Sequence, residues 1–200
     1  MIDRVRSLER ARVDRAELAR TEVVDLARGG AAAQRETIYA IRAMLQVLAH
    51  VYSKMAPGQF DCNQMLFDLT GNAPWIYGTG VVGTDGRVVC ATEPRAIGLN
   101  LGDRPYFQQM LRTRDFVLSD YLITRGTGVP GVMAAYPIIR GDGTFAGAVM
   151  ASINLQWMAD LAETAARRAG TSVALVDGNG TLIAGRIRRL SSAKPSRRTG

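Results

Sequence analysis

Apolar and polar positions change period near the middle of this chain, separating a helical first part from a strand-rich second part. Over residues 3–28, arginines alternate with aspartates and glutamates around Ile2, Val5, Leu8, Val13, Leu18 and Val23-Val24. That is the pattern of a solvated helix with one modest apolar face. Gly29-Gly30 weakens or punctuates it. Ile38, Ile41, Leu45, Leu48, Tyr52 and Met55 then recur at three-four spacing, which predicts a firm helical stripe ended by Pro57-Gly58. A short helix over 63–69 follows, before the breaker Gly71-Asn72-Ala73-Pro74.

Residues 75–82 and 87–91 read as strands joined by Gly83-Thr84-Asp85-Gly86, a hairpin signal. Residues 94–102 read as a loop. Residues 104–111 read as a short helix, with Asp103 as its N-cap and Pro105 at or near its first position. Strands are predicted over 116–124, 132–140 and 145–154, the last with a small apolar core fit to be packed on both faces. An amphipathic helix over 155–169 closes at Gly170, and a further hairpin turns at Asp177-Gly178-Asn179-Gly180. The predicted fold class is α+β, a long N-terminal helix packed on a five-stranded antiparallel sheet. VVGTDGRVV and ALVDGNGTLI share one strand-DG-strand pattern, so the trailing hairpin reads as the start of a second, similar module. The resulting layout is an N-terminal helical segment (1–32), a main domain (33–170), the first hairpin of a truncated second module (171–185) and a basic tail (186–200).

Charge changes this picture little. The formal net charge is +7, but Arg186, Arg188, Arg189, Lys194, Arg197 and Arg198 all lie in the tail, which has no acid. The remainder is near neutral and shows no basic stripe with interleaved aromatics, which disfavours nucleic acid. No apolar run approaches the roughly 20 residues that cross a bilayer, and the polar start MIDRVRSLER is not a signal peptide. Any membrane attachment therefore belongs to segments outside this chain. Cys62 and Cys90 are the only cysteines; they read either as a bridge between a helix and a strand or as two separate buried thiols.

Candidate chemistry is sparse. His50 is the single histidine and has no ligand partners in phase, so no metal or His-based catalytic site is expected. There is no GxSxG nucleophile elbow, and Gly78-Thr79-Gly80 lacks the third glycine of a dinucleotide fingerprint. The chain reads as a non-enzyme without a cofactor. Arg104 and Tyr106 open the short helix, where a guanidinium fork and free backbone N–H groups suit a small anion. The alternatives are an arginine paired with Asp103, Asp120 or a carbonyl, and a tyrosine packed in the core. Asp120 and Tyr121 would alternate faces of a strand, Tyr121 inward and Asp120 either at the rim or bonded to backbone. Tyr136, ahead of Pro137, reads as either packed or pocket-lining.

Taken together, the long leading helix, the strand-DG-strand hairpin, GLNLGDRPYFQQML, FVLSDYLITRGTGVP, AAYPIIRGDGTFAGAVMASINL and LVDGNGTLIAG resemble a Cache domain over about residues 33–185. This is the PAS-like extracytoplasmic sensor module of bacterial histidine kinases, chemoreceptors and diguanylate cyclases. The resemblance implies the membrane-distal, ligand-binding module of a double Cache receptor, periplasmic and dimeric through its N-terminal helix. Its implied ligand contacts are Arg104, Tyr106, Tyr121, Asp120 and Tyr136. The amino-acid-binding subset carries further groups where this chain has Leu99, Phe107 and Ser152, so a small carboxylate or other anion is expected in place of a free amino acid. A ligand-free dimerisation or scaffolding module is the alternative.

Overall fold

The computed structural model describes residues 2–55, 61–169 and 174–185. The basic tail and the predicted breakers Pro57-Gly58 and Gly170 lie outside the described residues. Helix α1 runs unbroken over Ile2–Lys54, so Gly29-Gly30 does not end it. Each glycine costs a helix about 1 kcal/mol relative to alanine. That is too little to stop a helix with strong formers on both sides. Among the described residues, the buried side chains of α1 lie in its C-terminal third, at Ile41, Leu45, Leu48 and Ala49. Helix α2, Cys62–Thr70, follows, and the Asp61 carboxylate caps it by accepting from the N–H groups of Asn63 and Gln64.

The sheet is built from β1 (Ile76–Val82), β2 (Val88–Ala91), β3 (Val117–Leu118), β4 (Leu122–Ile123), β5 (Pro130–Ile139) and β6 (Phe145–Ile153). All pairings are antiparallel, in the order β2-β1-β6-β5-β3, with β4 also on β5. The five-stranded expectation holds, except that the predicted strand over 116–124 is cut in two. Ser119 makes the cut. Its N–H donates to the Met133 carbonyl, while its hydroxyl, not its own carbonyl, receives the Met133 N–H at 2.9 Å. A side chain has taken over a ladder position, and the backbone leaves the sheet for two residues.

Alternation along β5 and β6 separates two cores. Val132, Ala134, Ile138, Val149, Ala151 and Ile153 face α1 and α2. Ala135, Ala148 and Met150 face the other way, against α3 (Pro105–Thr113) with its buried Tyr106, Phe107 and Met110. Cys62 and Cys90 are bridged, their Cα atoms 6.0 Å apart, tying α2 to β2. After β6, α4 (Leu155–Ala169) leads to a separate hairpin of β7 (Ala174–Val176) and β8 (Leu182–Gly185).

Candidate functional site

Between β2 and α3 the chain makes a short 3-10 turn, Pro94–Ala96, and then runs back along β2. Val88 donates to the Leu99 carbonyl, and Gly98 and Leu101 return bonds to Val88 and Gly86. Gly86 is required here: its φ is +82°, and a Cβ would stand 2.6 Å from the Gly102 Cα. The returning segment, α3 and the turn after β4 enclose a cleft over the face of β1, β5 and β6 that is opposite α1. It holds about 700 Å³ of atom-free space, a figure that includes its open mouth. The floor is apolar, formed by Gly78, Gly80, Val82, Met133 and Met150, and Leu99, Leu101 and Leu122 form the walls.

Polar groups stand around the apolar floor of this cleft. Arg104 and Tyr106 both line it. Arg104 occupies the N-cap position of α3 with Pro105 after it, and its side chain makes no cap bond. Asp103, the expected cap, is engaged elsewhere. Its two oxygens accept from Nη1 and Nη2 of Arg125, each at 2.8 Å, and Arg125 also donates to the Asn100 carbonyl. That guanidinium holds the Asp103 carboxyl below the usual carboxylate range. Arg125 is therefore a neutralised cation that straps the turn after β4 onto the 100–103 segment. Arg104 has no such partner: among the described residues, no carboxylate or carbonyl meets its guanidinium.

Tyr106 is only 5% exposed, and its hydroxyl has no hydrogen-bond partner among the described residues. Burial raises its phenol above the ordinary value, although the nearby Arg104 and Arg125 charges oppose that. It is a neutral donor at neutral pH. An unpaired cation and an unpaired buried donor on one wall of a cleft are groups chemically suited to an anionic oxygen.

Three other residues singled out from the sequence lie outside the cleft lining. Tyr136 shares its phase on β5 with Ala134 and Ile138, so it packs in the core facing α1, on the opposite side of the sheet. Asp120 and Tyr121 fall in the interruption between β3 and β4, where strand alternation does not apply. Asp120 is exposed, and the Tyr121 N–H donates to the Asp177 carboxylate of the trailing hairpin at 3.2 Å. Conversely, sequence reasoning passed over Glu93, Thr124, Arg125 and Thr127, which line the cleft. A signal existed for Glu93, since an acceptor side chain before Pro94 is a cap for the turn it opens; it accepts from the Arg95 N–H. Ser152, noted only as a departure, lies on the cleft face of β6.

A helix-flanked antiparallel sheet with a small-molecule cleft on one face defines a sensor domain of the PAS-like Cache class. The sequence matches the model of the HK/GC/chemotaxis protein-like sensor domain over residues 41–154, more than half of the chain, and the chain belongs to that family. The matched segment begins at Ile41, the first buried residue of α1 among those described, and ends at Asn154, whose N–H closes onto the Trp75 carbonyl. Among solved structures, the fold is similar to the extracellular domain assigned to a histidine kinase (21% identity, 64% of this chain and 54% of that one, TM-score 0.58). It is also similar to the ligand-binding domain of the Campylobacter jejuni chemoreceptor Tlp3 in complex with 4-methylisoleucine (12% identity, 80% and 67%, TM-score 0.66). A third is the ligand-binding domain of the Pseudomonas aeruginosa amino acid chemoreceptor PctC in complex with GABA (14% identity, 78% and 69%, TM-score 0.59). The chain spans about half of the first of these and about two thirds of the other two. No curated protein matches the sequence.

Among the described residues, no helix is long and apolar enough to cross a membrane, and no group of three or more metal-ligating side chains comes together.

Proposed function

We propose that this sensor domain is the extracytoplasmic, ligand-binding module of a bacterial receptor and binds a small carboxylate in the cleft between the sheet and α3. The observation that carries the reading is the pair Arg104 and Tyr106, both on the cleft, neither partnered, the tyrosine almost wholly buried. The carboxylate would take Arg104 as its charge partner and Tyr106 as a second donor, with its carbon chain on the methionine and valine floor. The domain layout follows: a binding module to about residue 170, then the first hairpin of a second module. The signal leaves through α1, which lies against β5 and β6 on the far face of the same sheet. Ligand biases that packing only by its differential affinity for two arrangements of the domain.

The test is a thermal-shift screen of small monocarboxylates. A compound at about 100 times its Kd stabilises the fold by about 2.7 kcal/mol. That shift should vanish in Arg104→Ala. A shift that persists in the variant overturns the site, and no shift with any carboxylate favours a module that works without ligand.

A further inference from the structure

We infer that Arg125 is a positioning residue for this site. By holding Asp103 in a two-pronged ion pair it keeps that carboxylate off Arg104, so the cleft carries a free charge only while the turn after β4 is strapped down. The inference deepens the proposed carboxylate reading and rests on it for the role of Arg104.

Two cations compete for Asp103. Arg125 takes both of its oxygens, Nη1 on one and Nη2 on the other, each at 2.8 Å. A planar fork set on a carboxylate is stronger and more directional than a single contact. Arg104 is the next residue in the chain, and its guanidinium meets no acceptor among the described residues. Asp103 lies in a turn and Arg104 stands at the N-cap of α3, so neither side chain is set on the face of a strand or a helix. The Arg125 hydrogen bond is the main cause of the lowered Asp103 pKa, and the charge of Arg104 adds to it. The carboxylate therefore lies in the field of both cations, and Arg125 is what withholds it from Arg104.

The same contact ties two walls of the cleft together. The turn after β4 is bonded largely to itself. The Thr124 carbonyl accepts from Gly128, the Thr124 N–H and hydroxyl both donate to the Val129 carbonyl, and the hydroxyls of Thr124 and Thr127 meet at 2.7 Å. Among the described residues, its polar bonds to the 97–103 segment are those of Arg125, to Asp103 and to the Asn100 carbonyl. Asn100 is held to receive it, since its side chain accepts the Gly102 N–H and its backbone bridges to Arg87. Closing this turn and freeing Arg104 are thus one event. With the turn lifted, Asp103 loses both bonds, and the unpaired cation beside it in the chain is Arg104. The pair that then forms neutralises the anion site, so an anion selects the strapped form.

The experiment is phenylglyoxal labelling of the chain, with the rate at each arginine read by peptide mass spectrometry. The reagent attacks unpaired guanidinium groups faster than paired ones. It needs no carboxylate, so its result stands apart from the thermal-shift screen. In the parent, Arg104 should label faster than Arg125. Arg125→Gln should slow labelling of Arg104 about two- to fivefold, the range that an exposed ion pair supports. Adding Asp103→Asn to that variant should restore the parent rate at Arg104. Asp103→Asn alone should speed labelling of Arg125 and leave Arg104 at the parent rate. Arg42, paired with Asp115 outside the cleft lining, is the internal control and should label alike throughout.

A merely structural strap predicts otherwise, because the double variant lacks it as fully as the single one. Labelling of Arg104 that is unchanged or faster in Arg125→Gln overturns the inference, as does a slowing that Asp103→Asn fails to reverse. Either result leaves Arg104 standing as the anion contact; that reading falls instead to a carboxylate shift that survives Arg104→Ala.

Discussion

A phenol sealed inside a protein without an acceptor forfeits its bonds to water, at a cost of about 1–3 kcal/mol. Tyr106 is in that position, so on the proposed reading its hydroxyl gains a partner only when ligand is bound. Tyr106→Phe should accordingly raise the stability of the ligand-free domain by about 1 kcal/mol in urea unfolding while weakening carboxylate binding. Opposite signs in the two assays are the mark of a group kept for the ligand; a loss of stability would mean that the hydroxyl is structural. The same residue sets an alkaline limit. Its folded-state pKa is raised by burial, so its contribution is fully present below the phenol's ordinary value and is lost as pH rises through the folded value. The domain should lose stability above about pH 10, and Tyr106→Phe should flatten that slope. Stability measured against pH for both proteins checks the point.

At the scale of elements, the cleft is a gap between a rigid sheet face and chain that is pinned to it at few places. The Cys62–Cys90 bridge fixes β2 to α2 just before Glu93 and closes a loop with a sequence separation of 28 residues. Loop-closure entropy of that size is worth about 3–4 kcal/mol. The Cys62→Ser, Cys90→Ser double variant should lose about that amount in denaturant unfolding, and reduction of the parent should reproduce the loss. Helices and strands were legible because their evidence is local: three-four spacing along α1, the DG turns, Pro105 at the start of α3. Arg104 and Tyr106 were legible for the same reason, since a helix start exposes its first residues to whatever faces it. Tyr136 was not, because the face that a residue of β5 presents depends on its register with β6, which pairs Tyr136 with Val149. Glu93 and Arg125 reach the cleft only because separate loops close over one sheet face, and no local pattern encodes that meeting. The break at Ser119 hid in a strand-like run, because a serine hydroxyl can replace a ladder carbonyl without any change in hydrophobic pattern.

For the molecule as a whole, two connections lead away from the cleft. One passes through the trailing hairpin. Burial disfavours the charged Asp177 carboxylate, yet the N–H groups of Thr181, Tyr121 and Asn179 outweigh this and hold its pKa below the usual range. Its bond to Tyr121 joins the hairpin to the backbone one residue before Leu122, which lines the cleft. Asp177→Ala should speed hydrogen exchange of the Tyr121 amide about tenfold, and unchanged exchange would show that the hairpin is not coupled to the cleft rim. The other connection is α1. Ile41 is the first buried side chain described along it, and the 39 residues before it extend the helix by about 60 Å at 1.5 Å per residue. A rod of that length is a lever with its fulcrum on the sheet. A tilt of about 5° at Ile41 sweeps the far end through about 5 Å, roughly one helical turn. On the proposed reading, occupancy of the cleft need not move the sheet visibly: a rearrangement too small to register in the core would still arrive at the end of α1 as a displacement of molecular size.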